Sequence, residues 1–427
     1  IIDSNGLNFQ GETDAYIVDY DTSGQAVNLV YSGATIGWTP SSDIVNALEP
    51  VAPPTQKGIF AFGIASGVVS ISNLVNSSGV IASDTTGVGT ARYAIAATTY
   101  GGDKAIFGFG LAGPTGITNL VSNSGVVAAD TAGVGTARSG VAASTYGSSG
   151  QALFGYGTTG SMVSVTNLIS SSGVVASDTT GVGTARRGLA AASYGTDKVI
   201  FGYGNTGSNV SMTNLANNLG VVAADVSGVG TARQKLGAVS YGSSGQALFA
   251  YGYTGSYVSL KNLVNNSGVV ASDVTGVGTA RAGIAATNYG GDKGIFAYGE
   301  GGSNVSMSNL VNSSGVIAAD VTGVGTARDG LSAATYGGDK GIFVGGGGGH
   351  GSNLVSNTGV ISADVSRVGS ARAYGSASTF GTSGQAIFAF GASGKTNLVS
   401  NSGVVANDVN LVGTGRNGIA ACRFGVG

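Results

Sequence analysis

GVGTARSGVAASTYGSSGQALFGYG, residues Gly133 to Gly157, returns with small changes through most of the chain. The arginine of each TAR stands at Arg92, Arg138, Arg186, Arg233, Arg281 and Arg328, with a SAR variant at Arg372 and a TGR variant at Arg416. The intervals are 46, 48, 47, 48, 47, 44 and 44 residues. A period of this length belongs to a solenoid, an array or a propeller. Within one period four segments recur between Gly, Ser, Asn and Asp turns: RSGVAASTYG, QALFGYG, VSVTNLIS and GVVASD. They are rich in Val, Ile, Thr, Phe and Tyr and too short for a helical stripe, so they predict strands. Four strands per period, repeated radially, is the pattern of a β-propeller blade.

The ends of the repeat region complement each other. The phenylalanine of the IF/LF strand occurs eight times (Phe60, Phe107, Phe154, Phe201, Phe249, Phe296, Phe343, Phe388). The first copy, GIFAFG, lacks the RxGxAAxxYG strand before it, whereas the chain ends on RNGIAACRFGVG without an IF strand after it. A C-terminal strand that completes the sheet begun at the N-terminal end would close a ring and remove open edges. The reading is therefore all-β: eight four-stranded blades in residues 58–427, a connector at 41–57 and a small β-module at 1–40. Ala and Gly in GVAAS and GIAAT suit crowded strands near an axis, and the large side chains of the IF strand fill the space between blades.

Composition narrows the function. Of 427 residues 78 are Gly and only 5 Pro, without the three-residue period of collagen. Hydrophobic residues are 42 % and mean hydropathy is +0.26, enough apolar material for a large core and the opposite of a disordered chain. Charged residues are 9 % and the net charge is -2, so there is no basic stripe to follow a phosphate backbone and no nucleic-acid partner is expected. No apolar run approaches the roughly 20 residues of a membrane helix, and no membrane insertion is expected. The single cysteine, Cys422, rules out an intrachain disulfide framework and reads as a small buried hydrophobe. The opening IIDSNG, without Met, leads us to expect a piece of a longer polypeptide.

Charge recurs with the repeat. An Asp precedes each repeat arginine by eight residues: Asp84, Asp130, Asp178, Asp225, Asp273, Asp320, Asp364 and Asp408. Eight such pairs in an otherwise uncharged repeat predict an architectural ladder, each Asp capping a turn and each Arg bonding backbone carbonyls or an Asp. No catalytic constellation accompanies them. His350, the one histidine, sits in VGGGGGHGSN without a legible Ser and carboxylate beside it. Glu occurs only at Glu12, Glu49 and Glu300, and Asp103, Asp197, Asp292 and Asp339 fall in GDK or TDK turns rather than in acid/base pairs. GYG and GVGTAR lie between strands without the following helix that a nucleotide loop requires. The reading is of a non-enzyme without cofactor or metal.

Two resemblances follow. The order TAR.G.AA..YG....aIFgYG resembles the kelch motif over Gly58 to Gly427, which implies a kelch-like propeller. It departs from kelch in having one glycine after the aromatic and no blade tryptophan. The N-terminal IIDSNGLNFQGETDAYIVDYDTSGQAVNLVYSGATIGW resembles a β-module of tail-fibre and other virion proteins of large-genome phages of marine and cyanobacterial hosts, with an I..NG..I.G start leading to v.LvYs...GW. That likeness implies a virion setting outside the host cell, other virion subunits as partners, and a homo-oligomer, trimeric if the module behaves as such modules commonly do. In the connector, SSDIVNALEP predicts a short helix capped by Ser42 or Asp43.

Departures from the repeat mark where recognition is expected, because rigid scaffolds carry binding sites on variable loops. The fifth copy adds Tyr253, Tyr257 and Lys261 in YGYTGSYVSLKN; the next has Glu300 in GEGGSN; the one after has the glycine run and His350. An exposed tyrosine pair beside polar loops suits a sugar face, so attachment to a host-surface glycan is the expected function. Its rival is a scaffold or decoration of the particle with no host contact.

Overall fold

In the computed structural model the described residues are 8, 28–42 and 57–424, apart from 77–79, 86, 88, 132–134, 180–182, 276, 322–324, 347–351, 365–375, 381–383, 390–394 and 407–412. His350, Arg372, Asp408 and residues 43–56 of the connector lie outside them. The chain divides into two units, Ile1–Thr55 and Gln56–Gly427. All regular structure among the described residues is β.

In the first unit Asn28–Tyr31 pairs antiparallel with Trp38–Ser42, and Tyr31 stands opposite Trp38 with ring centroids 5.4 Å apart. Gly33 and Gly37, at φ of 96° and 72°, make the turn between them. Ser42, the expected helix cap, is instead the last residue of a strand, because the hairpin register carries past Pro40.

Among the described residues the second unit forms eight three-stranded antiparallel sheets, lettered A to H. Sheets B to H start on the strands Ala96–Tyr100, Ala142–Tyr146, Ala190–Tyr194, Gly237–Tyr241, Ala285–Tyr289, Ser332–Tyr336 and Ser376–Phe380. In sheet A the same place is taken by Ala420–Phe424, from the far end of the chain, which pairs with Lys57–Ile64 in the register Phe424↔Lys57 to Ala420↔Ala61. Each first strand lies against the first strands of the sheets before and after it, and Ala420–Phe424 lies against both Ser376–Phe380 and Ala96–Tyr100.

The second strand of each sheet is paired on both sides and buried on both faces, which explains its unbroken apolar run, as in Ala105, Ile106 and Phe107. The core lies between sheets. Ile59 of sheet A shares a cluster with Phe107 of sheet B, Ile106 of B with Phe154 of C, and Ile200 of D with Phe249 of E. Phe60 of A meets Ile387 and Phe380 of H. Cys422 is buried in the cluster between A and B, where desolvation pushes its thiol pKa far up. Fully burying one such Phe or Ile contributes about 1.5–3 kcal/mol, so no sheet is stable without its neighbours.

The expected fourth strand is not a strand. GVVAAD and the Thr131 that follows it meet the third strand of sheet B through the isolated bridges Val121↔Val127 and Thr118↔Thr131 and the Ala128 amide, which donates to the Leu120 carbonyl at 2.8 Å, without forming a continuous ladder. The reason is local: Asn119 Nδ2 donates to the Ala128 carbonyl at 3.1 Å, so a side-chain amide takes an acceptor that a regular ladder would use. The same amide-to-carbonyl bond recurs in all eight sheets, from Asn73 to Asn397.

Candidate functional site

The seven repeat arginines among the described residues are fully buried, and their geometry corrects the expected pairing. Arg92 does not meet Asp84, eight residues before it. Asp84 ends sheet A, whereas Arg92 opens sheet B and meets Asp130 at the end of that sheet, 4.0 Å away. Arg138 pairs in the same way with Asp178, Arg186 with Asp225, Arg233 with Asp273, Arg281 with Asp320 and Arg328 with Asp364, at 3.3–3.8 Å. Arg416 completes the pattern with Asp84, 3.8 Å away.

Each arginine spends its fork on fixed acceptors. In sheet F, Arg281 Nε donates to the Tyr298 carbonyl (3.0 Å), Nη1 to the Thr279 carbonyl (3.0 Å) and Nη2 to Asn309 Oδ1 (2.6 Å). Asn309 in turn donates to Asp320, whose other oxygen accepts from the Thr279 amide and hydroxyl. The guanidinium also lies over the Tyr251 ring of sheet E, 4.1 Å from its centroid. The arginine therefore binds the start of a sheet to its end and that sheet to its neighbour. Burial lowers the pKa of Arg92, Arg138 and Arg416 to about 10, with the facing Asp pulling the other way, so all remain charged at neutral pH. Burial pushes the carboxylates up, but bonds from Thr and Asn and the arginine charge hold Asp130 and Asp320 below the ordinary range.

The aromatic residue under each arginine carries strain. Phe62, Phe109, Tyr156, Tyr203, Tyr251 and Tyr298 all have φ of 60–63°. A bulky residue in this left-handed region costs roughly 1–2 kcal/mol, offset here by the carbonyl bond to Arg Nε and by the stacked guanidinium. Sheet G departs: Gly345 stands in the aromatic place, and Arg328 Nε is buried without a partner among the described residues.

The departures from the repeat collect at one end of the sheets. The residue after each aromatic-Gly pair bridges the residue after each buried arginine: Ile64 with Asn417, Tyr93 with Leu111, Ser139 with Thr158, Arg187 with Asn205, Gln234 with Tyr253 and Ala282 with Glu300. Tyr253 and Glu300 thus hold the same position in sheets E and F. Sheet E also lengthens its second and third strands to Gln246–Tyr253 and Tyr257–Val264, so Tyr253 and Tyr257 face each other across a hairpin, ring centroids 5.3 Å apart at 66°. Both rings are half-buried. Glu300 Oε1 lies 3.4 Å from Nζ of Lys235.

Lys261 is a correction. It is 7 % exposed and its Nζ donates to the Gly315 carbonyl at 3.3 Å, because it occupies the inward position filled by Thr118, Thr166 or Ser308 in other sheets. Desolvation lowers its ammonium pKa. Asp103, Asp197, Asp292 and Asp339 sit in turns at the opposite end, each paired with the lysine that follows it.

Residues the repeat analysis passed over join the site. Arg187 is exposed and has no side-chain partner among the described residues. Lys235 has φ of 55°, where Gly140, Gly188, Gly283, Gly330 and Gly418 stand in other sheets. Lys235 was legible as the RQK departure from RxG and Arg187 as the charged middle residue of RRG, both lying before the first strand of a sheet rather than after the aromatic one. Lys235→Gly is expected to raise stability by about 1 kcal/mol, read as a higher urea midpoint at unchanged slope, since it relieves a left-handed side chain and removes only a surface ion pair.

Among the described residues no three His, Cys, Asp or Glu side chains are grouped to hold a metal ion, and no helix is long and apolar enough to cross a membrane. No protein-family model matches the chain, and no curated protein matches it in sequence.

Proposed function

We propose that the second unit closes into an eight-bladed kelch-like β-propeller, and that the protein is a non-enzymatic component of a phage tail or fibre that attaches to a host-surface glycan. Three observations support closure: the pairing of Ala420–Phe424 with Lys57–Ile64, the shared core of sheets H and A, and the Arg416–Asp84 pair. The virion setting rests on the N-terminal likeness. Attachment rests on one observation above the others: the departures at Arg187, Gln234, Lys235, Tyr253, Tyr257 and Glu300 fall at the same end of three consecutive sheets, over an unchanged arginine network. A glycan array probed with the full chain tests this reading. Replacing Tyr253 and Tyr257 together by alanine is expected to abolish binding while leaving the melting temperature near its original value. Binding that survives the double replacement would place recognition elsewhere.

The scaffold reading has its own support. Val80, Val126, Val174, Val221, Val269, Val316, Val360 and Val404, one per sheet, are 56–67 % exposed. Equivalent positions of all eight sheets thus present an exposed valine, a repeated apolar feature for neighbouring subunits to pack on. Particles that assemble normally with serine at these positions would remove that support.

A further inference from the structure

Sheets D, E and F carry more than an aromatic pair, and we infer that together they recognise a carboxylate-bearing sugar, a uronate-type residue of an acidic glycan. The inference rests on the attachment reading and names its ligand class. The three loops are fixed to one another. Arg187 and Asn205 exchange backbone bonds of 3.0 and 2.8 Å; Asn205 Nδ2 bonds Asn209 Oδ1 at 3.2 Å; Asn209 Nδ2 donates to the Tyr253 carbonyl at 2.9 Å. Gln234 and Tyr253 exchange backbone bonds of 3.1 and 2.8 Å, and the Lys235 carbonyl accepts from Gly283 of sheet F at 3.2 Å. Arg187, the tyrosine pair, Lys235 and Glu300 therefore stand on one continuous rim.

Their chemistry divides the work. The tyrosines meet edge to face, an arrangement that leaves ring surface for the C–H face of a pyranose. The side-chain amide of Gln234 is beside them for hydroxyls. Arg187 is a planar fork with no acceptor among the described residues, the geometry that matches a carboxylate through two parallel bonds. Lys235 gives the second observation. A left-handed lysine is strained and its exposed pair with Glu300 returns little, so the fold gains nothing by keeping it. Ala94 shares that backbone conformation in sheet B but offers no functional group. Arg187 and Lys235 against Glu300 leave this rim positive on a chain whose net charge is -2. A neutral glycan would leave Arg187 without a purpose; a single surplus charge is too little for a polyphosphate chain.

The test is calorimetric titration of the full chain with a panel of uronate-containing and neutral tetrasaccharides of several linkages. We expect the best uronate ligand to bind about tenfold or more tighter than its neutral counterpart, the effect of one charge-assisted bidentate pair. Arg187→Ala should erase that preference and leave the neutral affinity unchanged. Lys235→Gly should weaken uronate binding although it stabilises the fold. Tyr253→Ala should weaken both classes. Equal affinity for both classes, or a preference that survives Arg187→Ala, overturns the acidic-sugar inference and leaves glycan attachment standing. Failure of the whole panel to bind overturns attachment itself.

Discussion

Replacing Arg281 by methionine is expected to lower the stability of the chain by about 3–5 kcal/mol, seen as a large drop in urea midpoint. Methionine keeps much of the stem but removes every donor. The Tyr298 carbonyl, Asn309 Oδ1 and the Thr279 carbonyl then lose their partner, and Asp320 keeps its charge without the guanidinium. Tyr298 also loses the bond that offsets its left-handed backbone. Asp320→Asn should cost less, because Asp320 is partly open to solvent and its amide replacement still accepts from Thr279. Equal small losses for both variants would show that the arginine is an ordinary packed side chain. Arg328, whose Nε is already without a partner, should show a smaller loss than Arg281.

Ending the chain after Ala406 is expected to abolish cooperative folding of the second unit. The cut removes Arg416, the strand Ala420–Phe424 and, from the core between sheets A and B, Ala420, Cys422 and Phe424. It leaves Lys57–Ile64 as an unpaired edge and Asp84 without its arginine. Each element is modest by itself, but their sum is comparable to the whole net stability of a domain, about 5–15 kcal/mol. Circular dichroism should show a broad, early melt, and a peptide of residues 407–427 added in trans should restore the sharp transition. A truncated chain that still melted sharply would mean that the sheets form an open array, and closure into a ring would be wrong.

Much of this architecture was legible before any coordinates. Strand identity came from short runs such as QALFGYG, whose aliphatic and aromatic residues act locally. The complementary defects at GIFAFG and RNGIAACRFGVG pointed to Ala420–Phe424 as the missing strand of sheet A. GVVASD was misread because its composition is strand-like, while the competitor for its carbonyl, the Asn167 side chain, lies nine residues away in the chain and is recognised only once the third strand is in place.

The candidate site divides in the same way. Tyr253, Tyr257 and Glu300 stood out as departures from a repeated text, and their shared end of the sheets follows from strand direction alone. Lys261 looked like one more variable loop residue, yet its burial depends on which way the third strand faces. Arg187 and Lys235 gained meaning only when Asn209 reached Tyr253 from one sheet to the next and Glu300 approached Lys235 from another.

By itself the sequence determined the repeat, its β character and the arginine-aspartate inventory, because period and propensity act over a few residues. Tertiary structure decided the partners. Asp84 is eight residues from Arg92 in the chain, but the turn between them passes from one sheet to the next, so Arg92 faces Asp130 and Asp84 faces Arg416, from the other end of the chain. Charge pairs form with what is near in space, and nearness here is set by antiparallel pairing that returns the end of each sheet to its beginning.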